Sequence, residues 1–213
     1  MKPFLIFIIF LFQGCSAVYK KDYFTAESNL EYDEVNHCNF TGGGVGIKNY
    51  GEPDRAVKLV SNDVAISVCS KTKENQKTIT MGPLFFPIIP IFSTQDDSDS
   101  LFTVTLRLAS KDKSLTIKPT DSYLITADGK RIHIFNHTKG VASKCYNQVG
   151  YADVNKNIVL TNTETVDFCF EREDIGKSKY TLHLDGLYIS DKKLPKKTII
   201  FKRLRSTFFA FAG

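Results

Sequence analysis

Residues 101–108 read Leu-Phe-Thr-Val-Thr-Leu-Arg-Leu, with Phe102, Val104, Leu106 and Leu108 in one phase and Thr103, Thr105 and Arg107 in the other. A period of two puts one set of side chains on each face of an extended strand and suits no helix. The same grammar recurs in short runs at Val57–Val60, Val64–Cys69, Tyr123–Ala127, Arg131–Phe135, Ile158–Leu160, Thr165–Phe170, Tyr180–Leu184, Leu187–Ser190 and Thr198–Leu204. No long window of the mature region carries a 3.6-residue period, so helix is expected only in the N-terminal segment and in a turn near Asp174. Short strands separated by turn residues predict an all-β, antiparallel β-sandwich, with an immunoglobulin-like arrangement as the closest pattern. With no Trp in the chain, the Cys…Trp…Cys signature of true immunoglobulin domains is missing. Asp128-Gly129 predicts a tight primed turn between two strands, and Asp185-Gly186 a turn or bulge.

The first fifteen residues carry a different message. Lys2 precedes the apolar run Phe4–Phe12, and Gln13-Gly14-Cys15 follows. Nine helical residues reach about 14 Å, less than half of a bilayer's ~30 Å core, which fits an export signal better than a membrane span. A small residue just before a cysteine resembles the signal of exported bacterial lipoproteins. The resemblance covers residues 1–15 and departs from the pattern at Phe12 and Gln13. It implies removal of residues 1–14, acylation of Cys15, and attachment to a membrane through that lipid. Ser16, which is not Asp, implies the outer membrane. The rival is cleavage after Ala17, which would release a soluble periplasmic or secreted protein. The polar segment that follows predicts a tether over 15–30 and a single β-sandwich domain over 31–213.

Cys15 aside, four cysteines remain: Cys38, Cys69, Cys145 and Cys169. An even set in an exported chain predicts disulfides, and local pairing favours Cys38–Cys69 and Cys145–Cys169. No Cys-x-x-Cys appears, which disfavours a redox site or a zinc knuckle.

The segment Met81–Phe92 is apolar yet holds Pro83, Pro87 and Pro90. Proline removes ladder donors, so this stretch predicts an extended edge segment covering the body. The alternative is an apolar contact surface built on Pro83, Phe85, Phe86, Pro87 and Pro90. The Gly-Pro…Pro-Ile-Ile-Pro pattern resembles uncharacterised β-sandwich envelope lipoproteins and implies no activity. Ser206–Gly213 is apolar too, and is expected to complete an edge strand or to rest on that segment. The chain offers no evident series of long alternating strands of the kind that build membrane barrels.

Motifs for chemistry are sparse. Thr41–Lys48 is glycine-rich but lacks the Gly-Lys-Ser/Thr of a phosphate loop, and reads as a turn or bulge. Asp96, Asp97 and Asp99 lack the Gly and the Glu of a calcium loop. His133 and His137 are about 13 Å apart along a strand, too far to share a metal without a bend near Asn136, and His37 and His183 stand alone. The sequence therefore predicts no catalytic residues, no metal and no cofactor; an envelope hydrolase assembled from Asp96–Asp99 and a histidine is the enzymatic alternative. Sequons at Asn39 and Asn136 would mark exposed loops in a eukaryotic secreted chain.

The net charge of +5 is uneven, with Lys177, Lys179, Lys192, Lys193, Lys196, Lys197, Lys202, Arg203 and Arg205 against Asp185 and Asp191. Such a surface suits anionic headgroups or a polyanion, or is a solvated hairpin whose lysines block edge pairing. No aromatic interleaves Lys192–Lys197, which argues against nucleic acid. The expected partners are a membrane through the lipid, and an envelope protein or polymer.

Overall fold

Alternation in sequence becomes a ladder of antiparallel strands. The computed structural model describes residues 15–27, 32–33, 56–61, 64–83, 90–96, 100–109, 112–140, 145, 152–162, 164–172 and 179–211. Among them, in chain order, run β1 (Cys15–Glu27), β2 (Tyr32–Asp33), β3 (Ala56–Ser61), β4 (Val64–Ser70), β5 (Lys73–Pro83), β6 (Pro90–Asp96), β7 (Leu101–Ala109) and β8 (Leu115–Ile117). After a single 3-10 turn, Pro119–Asp121, come β9 (Tyr123–Thr126), β10 (Arg131–Lys139), β11 (Ile158–Leu160), β12 (Thr165–Glu171), β13 (Lys179–Leu184), β14 (Leu187–Ile189), β15 (Lys192–Lys193) and β16 (Lys197–Phe211). Twelve strands form one ladder, β2-β3-β4-β7-β12-β10-β9-β13-β16-β1-β5-β6, and β11-β8-β14-β15 form a second. The all-β expectation holds.

The long ladder curls, so that β1 packs back against β3 and β4. Inside the curl, Phe24 meets Phe102 and Tyr180 edge-on, with ring centroids 5.1 and 5.2 Å apart, and Phe102 meets Phe201 at 5.6 Å. Burying a side chain of that size contributes about 1.5–3 kcal/mol, so this cluster clamps strands distant in the ladder. The phase of β7 read from sequence is the core phase: Phe102, Val104, Leu106 and Leu108 are all buried.

The opposite phase is buried as well at the ladder's centre. On β12 every residue from Thr165 to Phe170 is buried. Register sets Asp167 opposite Thr105 and Thr138, and Cys169 opposite Thr103 and Asn136, which makes a polar layer behind the apolar one. Cys145 is disulfide-bonded to Cys169 with Cα atoms 5.9 Å apart, as the local-pairing expectation had it. Cys69 is disulfide-bonded too; its expected partner, Cys38, lies outside the described residues. Asn136 is buried on β10, where its Oδ1 accepts from the backbone N–H of His137 (2.8 Å) and Ala152 (2.9 Å). Its sequon therefore marks a strand interior, not an exposed loop.

Four further expectations change. The segment 15–30, read as a tether, contains β1, which pairs with β16 on one side and β5 on the other. Its alternation was hidden by a charge in the core phase: Asp22 is buried, and Arg203 Nε donates to its carboxylate at 3.1 Å. With β1, β16 and β5 adjacent at 13, 15 and 11 residues, the chain does carry long neighbouring strands, and the apolar tail is the far half of β16. The Asp-Gly turn is not a primed two-residue turn, because only Gly129 has positive φ (+88°). Gly129 N–H donates to Thr126 O and Thr126 N–H to Lys130 O, which closes a three-residue loop. Finally, an immunoglobulin sandwich divides its strands between two comparable sheets, whereas here twelve strands run in one order.

Candidate functional site

The hairpin β9–β10 and strands β13 and β16 set four residues in one cross-strand row. His133 pairs with Tyr123, Tyr123 with His183, and His183 with Thr198. The neighbours Leu124 and Leu182 are buried in the core, so the row lies on the outer face of the sheet. The next row on that face runs Arg131, Ile125, Thr181 and Ile200.

Tyr123 is the hub. His183 stacks on its ring at 4.8 Å with 22° between planes, and His133 stands 6.3 Å away. The Arg131 guanidinium carbon lies 3.6 Å from the ring centroid. Lys196 Nζ is 5.6 Å from the centroid and donates to the Tyr123 hydroxyl at 3.2 Å. Thr198 Oγ1 is 3.3 Å from His183 Nδ1. A second cation–aromatic pair, Lys118 over Tyr188, has Nζ 4.9 Å from the ring centroid.

Several cations elsewhere in the molecule are neutralised by carboxylates. Lys139 pairs with Glu164, Lys193 with Asp185, Lys202 with Glu27 and Arg203 with Asp22. Among the described residues, no carboxylate pairs with Arg131 or Lys196; both instead face the Tyr123 ring, which attracts a cation without cancelling its charge. Partial burial first, and then the charges of Lys196 and Arg131, hold His183 below the ordinary histidine pKa of 6.5. The row thus presents two fixed positive charges, a neutral imidazole and two hydroxyls. That set can accept a phosphate, sulfate or carboxylate, with Arg131 able to donate in bidentate fashion.

In linear sequence no aromatic interleaves the lysine run Lys192–Lys197. The fold supplies Tyr123 to Lys196 from another strand, so the signal lay in register rather than in linear sequence. Other expected sites distribute as follows. Cys15 is the first residue of β1 and pairs with Pro83, the last of β5; Pro90 opens β6 opposite Met81. Residues 1–14, Cys38, Phe85, Phe86, Pro87, Asp97, Asp99, His37, Asn39 and the glycine-rich 41–48 lie outside the described residues. His133 faces Tyr123, while His137 is four residues on, with its Nδ1 buried and its pKa lowered by burial. Comparison with protein-family models, with curated proteins and with solved structures finds no match.

Proposed function

We propose that this chain is a cell-envelope lipoprotein of bacterial type, held by an acylated Cys15, and that its β-rich body binds an anionic envelope polymer through the Tyr123 row. The observation that carries the binding half is the pair Arg131 and Lys196 on one tyrosine ring, with no described carboxylate to neutralise them. Two cations held on one tyrosine ring favour an anion over a neutral ligand.

The anchor half is supported by strand pairing. Cleavage before Cys15 keeps Cys15–Ala17 and their pairing to Pro83, Met81, Thr80, Phe211 and Ala210, whereas cleavage after Ala17 removes them. Disulfide-bonded Cys69, Cys145 and Cys169 fit a compartment outside the reducing cytosol.

The test uses dextran sulfate as the anionic probe and dextran as the neutral one. Arg131→Gln with Lys196→Gln should weaken dextran sulfate binding at least tenfold, equivalent to about 1.4 kcal/mol, while circular dichroism stays unchanged. Equal binding of both polymers, or a double variant that binds as the wild type does, overturns the ligand site. Metabolic labelling with a clickable fatty acid should mark the wild type and not Cys15→Ala; a free Val18 N-terminus would replace the anchor with soluble export.

A further inference from the structure

The four strands β16, β1, β5 and β6 form one margin of the long ladder, and their register fixes what lies side by side at its far end. On the face that carries the core, Ala26 pairs with Phe201 and Phe24 with Arg203. The half-buried Asp22–Arg203 ion pair follows on the same face. Further along β1, Lys20 pairs with Thr207 and Lys77. Beyond this basic row Val18 pairs with Phe209 and Ile79, and Ser16 with Phe211 and Met81. The other face sets Tyr19 against Phe208, Ala17 against Ala210, and Thr80 against Phe92.

Along the register, apolar rows therefore resume after a charged interruption. The end is also apolar in both phases, since Phe208, Phe209, Ala210 and Phe211 are consecutive on one strand. Among the described residues, β5 packs chiefly on β1 and β6, and β6 chiefly on β5. Between this extremity and Asp22 stand Lys20, Lys21, Lys77 and Arg205, against the single acid Asp96.

We infer that this end of the sheet seats in the surface of a bilayer containing anionic phospholipid. At about 3.4 Å per residue Val18 stands about 7 Å beyond Lys20, the depth of the interfacial zone, and Ser16 about 14 Å beyond it, in the upper acyl region. The basic row then falls at the level of the headgroup phosphates. Charge decides for lipid over a second copy of the chain, which would set one basic row against another. Cys15 pairs with Pro83 at the same extremity, so an acyl chain there would leave from this end, but the surface stands without it.

The chain lacks Trp, so a single introduced Trp reports cleanly. The full chain carrying Cys15→Ser, which cannot be acylated, and Phe209→Trp is mixed with phosphatidylcholine vesicles with or without about one-third phosphatidylglycerol. The expected result is a blue shift and quenching by brominated lipid on the anionic vesicles. Adding Lys20→Gln and Lys77→Gln should cut partitioning at least tenfold, with Phe4–Phe12 common to every variant. Should Phe209→Trp perturb the circular dichroism, Phe92→Trp on the adjacent β6 takes its place. Absence of quenching, equal partitioning to both vesicles, or indifference to the lysine changes overturns the inference. Fatty-acid labelling of Cys15 is read separately, so failure of the anchor and failure of this surface are distinguishable.

Discussion

Asp167 has no exposed side-chain surface, yet it sits opposite a cation: Lys71 Nζ donates to its two oxygens at 3.0 and 3.1 Å, and Thr105 Oγ1 donates at 2.6 Å. Burial pushes the Asp167 pKa up; Lys71 and the Thr105 hydrogen bond pull it back, and the net direction is upward from 3.8. A carboxyl raised in the folded state holds its proton more tightly there than in the unfolded chain. Its contribution to stability is therefore fullest below the unfolded value and declines as pH rises through the folded one. Lys71→Met removes the partner and leaves a buried carboxylate supported by one hydroxyl. At neutral pH that variant should lose about 3–5 kcal/mol in urea unfolding. The deficit should shrink as the buffer is made more acidic, because protonated Asp167 needs no cation. A deficit that does not change with pH would mean that Lys71 acts by packing alone. Asp167 and Asp22 share a lesson: in sequence each looks like a solvent-facing charge inside a strand. Only a cation from a distant segment, Lys71 for one and Arg203 for the other, makes burial tolerable. No local pattern contains that partner, which is why β1 reads as a polar tether.

At the scale of elements, the strands with clean alternation or continuous apolar runs were legible, while the register between them was not. A two-residue Asp128-Gly129 turn would set Ala127 opposite Lys130 and hence Tyr123 opposite Ile134. The three-residue loop sets Tyr123 opposite His133 instead, and a slip of one residue exchanges every face. The Tyr123 row is a product of that loop. Nearby, Gly186 between β13 and β14 lets two backbones meet: Lys118 N–H donates to Gly186 O at 2.8 Å. A Cβ on Gly186 would lie 2.5 Å from Lys118 O and 2.9 Å from Lys118 Cβ. Gly186→Ala must therefore displace the turn at Pro119–Asp121, and overpacking of this kind costs about 1–3 kcal/mol. Thermal unfolding should show that loss, whereas an unchanged Tm would mean that the turn yields freely. The Cys145–Cys169 pair, by contrast, was readable from spacing, because a separation of 24 residues is the shortest closure available among the four cysteines. It contributes about 3 kcal/mol in the chain-entropy model.

The whole molecule sets its two proposed surfaces apart. Thr198 of the Tyr123 row and Phe209 of the apolar end belong to the same strand, eleven residues apart, which is about 36 Å at 3.3 Å per residue. Strand β16 would then work as a strut, with lipid at one end and the anion site near the other. The basic belt keeps the two roles apart, since cations at Lys20 and Lys77 halt the sheet at headgroup level while Arg131 and Lys196 remain beyond a Debye length of ~8 Å from the charged surface. An anionic bilayer would otherwise compete for the cations that the polymer needs. In the Cys15→Ser chain bound to anionic vesicles, Trp at position 209 should be quenched by brominated lipid. Trp introduced as Ile125→Trp, beside Tyr123 on the outer face, should retain its full intensity. Dextran sulfate should then bind the vesicle-attached protein as well as it binds the free one. Equal quenching at both positions, together with competition between vesicles and dextran sulfate, would mean that the sheet lies flat on the membrane with the Tyr123 row against the lipid, and the strut arrangement would fall.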